Sequence, residues 1–185
     1  MDKTQLDNCL KWIKNEKIKE WTEEFLKEKA PDYFWEIEAS STGKYHPSYA
    51  VEKGGLVKHT KVVFQIALDM LDNKVWGFSE QERDIILAAI LLHDVMKRGV
   101  PETDHTVHNH GTLVSNKIHN EGIKENSIRA KIANTIASHM GQWNKDFNGN
   151  KVAPLPSNEK QFFVHLCDYI ASRKYMEINF ERMKV

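Results

Sequence analysis

The eight residues Ile85 to Leu92 form an unbroken apolar run that a folded chain has to bury, and they lead directly into His93 and Asp94. Ser79, followed three residues later by Glu82, gives the run a helical start, because each side chain can satisfy an orphan backbone N–H of a first helical turn. The run falls well short of the roughly 20 residues that span a bilayer, so it predicts a buried central helix. A polar pair at the end of such a helix is costly to bury without partners. An imidazole beside a carboxylate finds a shared partner in a bound divalent cation.

Elsewhere apolar residues recur at helical spacing, as in Leu6, Leu10, Trp12 and Ile13, then Ile18, Trp21, Phe25 and Leu26, and no stretch alternates convincingly at the strand period. The predicted fold class is all-α. Helices are expected over about Leu56–Leu71, with Val62, Val63, Ile66 and Met70 on one stripe, over Val107–His119, over Ser127–Met140 and over Asn158–Tyr175. The segment Gln142 to Pro156, rich in Asn, Gly and Pro, reads as an exposed connection. With 185 residues, 41% hydrophobic and 28% charged, the chain fits one globular domain.

Lysine and arginine total 26 against 26 aspartates and glutamates, so net charge recruits neither nucleic acid nor an anionic membrane. A polyanionic substrate has to be met by a local patch. Cys9 and Cys167 are the only cysteines and have no paired spacing, which points to a reducing, cytoplasmic setting with neither a disulfide framework nor a thiolate zinc site. The charged start, Met1 to Leu10, gives no expectation of a signal peptide.

Nine histidines are present, and three fall at expected helix ends: His59 opens one helix, His93 closes another and His139 closes a third. A helical bundle builds metal sites by projecting such side chains inward from facing helices. Lys97, four residues beyond His93 and three beyond Asp94, would share their face on a continuing helix and hold an anionic oxygen nearby. Each position also has a plainer reading. A lone His-Asp pair is commonly a hydrogen bond at a helix end, His139 would suit the negative end of its helix dipole, and Lys97, Arg98 and Arg173 could be ordinary solvated cations. The tryptophans and phenylalanines read mostly as core, with Trp143, shortly after His139, set apart.

His59, then His93-Asp94, then Asp168 resemble the ordered signature of the HD-domain metal-dependent phosphohydrolases. Gly54-Gly55-Leu56-Val57-Lys58-His59-Thr60 is similar to the glycine-glycine-leucine lead into the first histidine of many members, and His93-Asp94-Val95-Met96-Lys97 to their HD-x-G-K segment. Leu166 to Arg173 is similar to the final aspartate helix. The resemblance covers about Tyr45 to Lys174. It implies an HD-domain helical bundle with a core over 45–175 and leaves unexplained the N-terminal helices that periodicity predicts over 1–40, whose amphipathic faces would suit an interface or a lid.

His110-Gly111 and His139 match the extra histidines of members that hold two metals. By that resemblance Asp94 bridges, His59, His93 and Asp168 hold one ion, and His110 and His139 hold the other. Residues alone leave His105, His108 and His110 open as the extra ligand, with Gly111 favouring His110. Met96 departs from the usual glycine, and the GYP segment of cyclic dinucleotide phosphodiesterases is absent, which counts against cyclic-di-GMP as substrate. The implied activity is hydrolysis of a phosphate ester or anhydride of a nucleotide or dinucleotide by metal-activated water, with Mn, Fe or Co favoured over Mg. Asp94 and Lys97 are then catalytic, and His46, Lys97, Arg98 and Arg173 meet the substrate. His165, one turn before Asp168, is expected in packing or in an outer hydrogen bond. A silent nucleotide- or metal-binding module is one alternative, and a single-metal nucleotidase or short-oligonucleotide exonuclease another. Long nucleic acid is disfavoured, and homo-oligomerisation stays open.

Overall fold

A computed structural model of the chain describes every residue except Met1, Ser41, Tyr45, Lys74, Ile123 and Asn126. Tyr45, the expected start of the HD core, and Met1, the expected start of the N-terminal helices, therefore lie outside the described residues. Among the described residues seven α-helices follow one another: α1 (Asp7–Leu10), α2 (Glu16–Glu24), α3 (Gly55–Leu71), α4 (Glu80–Leu92), α5 (His110–His119), α6 (Ile128–Ala137) and α7 (Glu159–Ala171). Among the described residues there is no strand, only an antiparallel bridge between Lys145 and Lys151. The protein is an all-α bundle, and among the described residues no helix is long and apolar enough to cross a membrane.

The central helix is α4. Every residue from Asp84 to Leu92 is buried, so the helix has no solvent stripe of its own and is packed by α2, α3, α6 and α7. Its start is the capping box read from the sequence. Ser79 Oγ accepts from the Glu82 N–H, and the Ser79 N–H donates to the Glu82 carboxylate at 3.1 Å. The Glu82 carboxylate also accepts from Lys160 Nζ at 2.6 Å, tying the start of α4 to α7. On α3, Val62 and Val63 are buried and Ile66 and Met70 pack against the core, as their spacing predicts.

Three predicted helix ends differ. The fifth helix begins at His110 rather than Val107, because the Val107 carbonyl is taken by the His110 N–H in a tight turn. The sixth ends at Ala137, and His139 is carried by the turns that follow. The last ends at Ala171, capped by Ser172, instead of continuing to Tyr175. The helix of Ile85–Leu92 also does not continue as an α-helix to Lys97. Beyond Leu92 the chain closes shorter loops, with the Val95 N–H donating to Leu92 O and the Lys97 N–H to Asp94 O.

The N-terminal elements are part of the same apolar cluster. Leu6, Cys9, Leu10, Ile13, Ile18, Trp21, Phe25 and Leu26 are all buried in it. The buried Asp84 carboxylate of α4 accepts from the Lys14 and Asn15 N–H groups at 2.9 and 2.8 Å, fixing the bend between α1 and α2. The apolar faces of these helices are therefore turned inward and form part of the core.

Candidate metal centre

Five helices deliver six side chains to one place: His59 from α3, His93 and Asp94 from the end of α4, His110 from the start of α5, His139 from beyond α6, and Asp168 from α7. Three of the four histidines are oriented in the same way. His93 Nδ1 meets Ile90 O at 2.6 Å, His110 Nδ1 meets Val107 O at 2.7 Å, and His139 Nδ1 meets Ile136 O at 2.8 Å. A carbonyl can only accept, so each neutral ring keeps its hydrogen on Nδ1 and turns the Nε2 lone pair inward, the orientation a metal ligand requires.

Those lone pairs surround Asp94. Its Oδ1 has His110 Nε2 at 2.9 Å and His139 Nε2 at 3.5 Å; its Oδ2 has Lys97 Nζ at 2.6 Å, His93 Nε2 at 3.3 Å and His59 Nε2 at 3.9 Å. Asp168 Oδ1 lies 2.9 Å from His59 Nε2 and 3.8 Å from His93 Nε2. His110 Nε2 and His139 Nε2 face each other at 3.0 Å. With both protons on Nδ1, that last approach brings lone pair to lone pair and calls for a cation or a proton between them.

The remaining bonding also fits a metal. His93 Nε2 and Asp94 Oδ1 are buried without a hydrogen-bond partner, despite the crowding of nitrogen and oxygen around them. The donor atoms fall into three overlapping groups that could hold an ion: His59, His93 and Asp94; His93, His139 and Asp168; and Asp94, His110 and His139. Imidazole nitrogen with carboxylate oxygen is the donor chemistry of first-row divalent metals.

The titration behaviour follows from burial. Loss of hydration pushes the Asp94 carboxyl up, but the Lys97 ammonium and the His93 ring outweigh it and hold Asp94 well below the ordinary carboxylate range. Burial likewise opposes ionisation of Asp168, and its hydrogen bond with His59 prevails to leave it lowered. Burial keeps His59 and His110 below the usual histidine value. For His93 burial is overcome by the Asp94 charge, and its pKa rises.

The other expected residues sort clearly. Lys97 is in the site through Asp94. The His46 ring lies 5.7 Å from that of His59, with Nδ1 buried and unpartnered, and burial takes its pKa down to about 3. Arg98 is turned to Glu38 and Glu102, and Arg173 to Tyr169 and Trp143; neither forms an ion pair with the cluster among the described residues. His105 is exposed, and His108 packs against Phe147 with ring centroids 4.2 Å apart, so His110 alone of that trio joins the cluster. Half-buried His119 meets Asn134, and His165 donates from Nδ1 to the His139 carbonyl at 2.8 Å, the outer hydrogen bond expected for it.

Gly111 has a role its sequence position only hints at. A Cβ there would fall 2.7 Å from His139 Nδ1 and 2.9 Å from Ile136 O, so glycine is what lets α5 approach closely enough to pair His110 with His139. Tyr169, one residue beyond Asp168, has no signal of its own in the sequence, where an aromatic on a helix ordinarily indicates core.

A family model for the HD domain matches residues 56–173. The chain belongs to the HD domain family. The match begins three residues before His59 and ends five beyond Asp168, so all six clustered side chains lie inside it. HD domains bind divalent metals, and the His/Asp groups of this chain could hold them. A curated relative, dihydroneopterin 2′,3′-cyclic phosphate phosphodiesterase from Methanocaldococcus jannaschii, is 37% identical over 94 residues, covering 46% of this chain. The chain spans only 36% of that relative's length. No solved structure matches the chain at comparable significance.

Proposed function

We propose that this HD domain hydrolyses a phosphate ester of a small nucleotide-like compound, a phosphodiester in the first instance, at a centre of two divalent ions. The observation that carries the reading is the division of Asp94: Oδ1 faces His110 and His139, while Oδ2 faces His93, His59 and Lys97. One carboxylate with a separate set of donors at each oxygen is suited to bridging. His59, His93 and Asp168 would hold one ion, His110 and His139 the other. Divalent ions, when bound, supply activated water and neutralise charge on a phosphoryl group.

The chain's own residues provide placement and charge. The Asp168 side chain is 19% exposed while those of His59, His93, Asp94, His110 and His139 are almost fully enclosed, so substrate approach is supported from the Asp168 side. Lys97, held 2.6 Å from Asp94, presents an ammonium where a non-bridging phosphate oxygen gains charge as water adds to phosphorus and the ester oxygen leaves. His46 stays neutral at pH 7 and offers a hydrogen bond rather than a positive charge. The named activity of the archaeal relative supports placing 2′,3′-cyclic phosphates early among candidate substrates.

Release of product from nucleoside 2′,3′-cyclic phosphates, mononucleotides, nucleoside triphosphates and dinucleoside polyphosphates should be measured with Mn, Fe(II), Co or Mg, beside Asp94→Ala. Metal-dependent release that vanishes in a folded Asp94→Ala protein is expected. Turnover that survives this substitution would rule the reading out, and binding without hydrolysis under every metal would favour a silent nucleotide-binding module.

A further inference from the structure

Trp143 has no evident structural task. The other four tryptophans, Trp12, Trp21, Trp35 and Trp76, are buried or packed against the core, whereas Trp143 is 44% exposed. It is nonetheless held in place. Its indole stacks on Tyr169 with centroids 5.6 Å apart and planes 18° from parallel, and the Arg173 guanidinium lies 4.2 Å from the Tyr169 centroid and 5.6 Å from that of Trp143. These three separations describe a triangle, so the cation sits at the junction of the two rings. Arg173 is itself fixed, donating from Nε to Tyr169 O and from Nη2 to Ser172 Oγ.

The stack adjoins the metal centre through two chain segments. Tyr169 follows Asp168 on α7, and Trp143 closes the short Gly141–Trp143 turn that leaves His139. His165 joins the segments, bonding to the His139 carbonyl with its ring 6.2 Å from Trp143. Gly141 makes this approach feasible. Its φ is +54°, and a Cβ there would fall 2.2 Å from the His165 ring. The turn thus holds an exposed aromatic residue against His165 and Tyr169, on the helix that also carries the part-exposed Asp168.

We propose that Trp143, Tyr169 and Arg173 form the platform on which the planar heteroaromatic ring of the substrate stacks while its phosphate reaches the metal centre. An open indole face and an adjacent guanidinium are what an electron-rich nitrogen heterocycle binds, by stacking and by donation to ring nitrogens or carbonyls. The inference rests on the phosphohydrolase reading for the location of the phosphate, but the ring contact is testable without turnover.

Calorimetric titration of the full chain with a non-hydrolysable phosphonate analogue of guanosine monophosphate, against the matching ribose phosphonate, isolates the ring. The guanosine compound should bind more tightly than the ribose compound to the wild type, Trp143→Ala should weaken only the guanosine compound, by about fivefold or more, and Trp143→Phe should restore much of the loss. An unchanged thermal melt for Trp143→Ala separates this from misfolding. Equal affinity of wild type and Trp143→Ala for the guanosine compound, or equal affinity of the wild type for the two ligands, overturns the platform. Ring-dependent binding through Trp143 in a protein that hydrolyses nothing would leave the platform standing and remove the hydrolase reading.

Discussion

Asp94 Oδ2 and the Lys97 ammonium are 2.6 Å apart in a largely buried site, where a charge pair matters more than at the surface. Lys97→Ala should therefore lower kcat by about 10²-fold at saturating metal while the protein keeps its ions, a result read from steady-state rates beside metal content. A rate within twofold of wild type would take Lys97 out of the chemistry. At this scale the sequence was informative about types and order but not about neighbours. His105, His108 and His110 share a seven-residue stretch, and spacing alone does not rank them. What separates them is that the Val107 carbonyl receives His110 Nδ1 while His108 is turned to Phe147. Arg98 and Arg173 were equally legible as cations; their partners Glu102 and Tyr169 lie four residues away, whereas Glu38 and Trp143 come from contacts that only the fold creates.

The helix starts were easier to read than the helix ends. Ser79 and Glu82 form the expected capping box because that pairing is local, needing nothing beyond three residues of spacing. The ends of α6 and α7 were overrun because the periodic apolar pattern continues after the backbone has turned, and His139 is delivered by the turn itself. The start of α4 also has a pH dependence of its own. The hydrogen bond from Lys160, and then those from Ser79, hold Glu82 down to about 2 against an ordinary 4.5. A lowered carboxyl pKa stabilises the fold fully above the ordinary value, and that contribution is lost as pH falls from about 4.5 toward 2. Glu82→Gln should lower the melting temperature at neutral pH by a modest amount, since the group is part-exposed and screened, and should flatten the acid side of the stability curve. A variant whose acid limb matches wild type would show that the α4–α7 link carries no stability.

Across the whole molecule, the segment outside the HD resemblance was the least legible. Amphipathic helices before a recognised core suit an interface, a lid or more core equally well in sequence, and the burial of Leu6, Leu10, Ile13, Trp21 and Phe25 beside α4 and its neighbours comes from the fold alone. Each such side chain contributes about 1.5–3 kcal/mol by burial, so together they rival a typical domain stability of about 5–15 kcal/mol. Deleting residues 1–29 should abolish cooperative unfolding in thermal circular dichroism; a shortened chain with an intact melt would show that the core closes without them. The HD order itself was readable because its histidines and aspartates are few and stand beside glycine, lysine and apolar residues in a fixed sequence. The measurement closest to the centre of the proposal is metal stoichiometry, by elemental analysis after Mn loading, for wild type, His110→Ala and Asp94→Ala. Two ions per wild-type chain, one in His110→Ala and none firmly held in Asp94→Ala are predicted; a wild type that retains no metal, or an Asp94→Ala protein that still holds two, would contradict a centre bridged by Asp94.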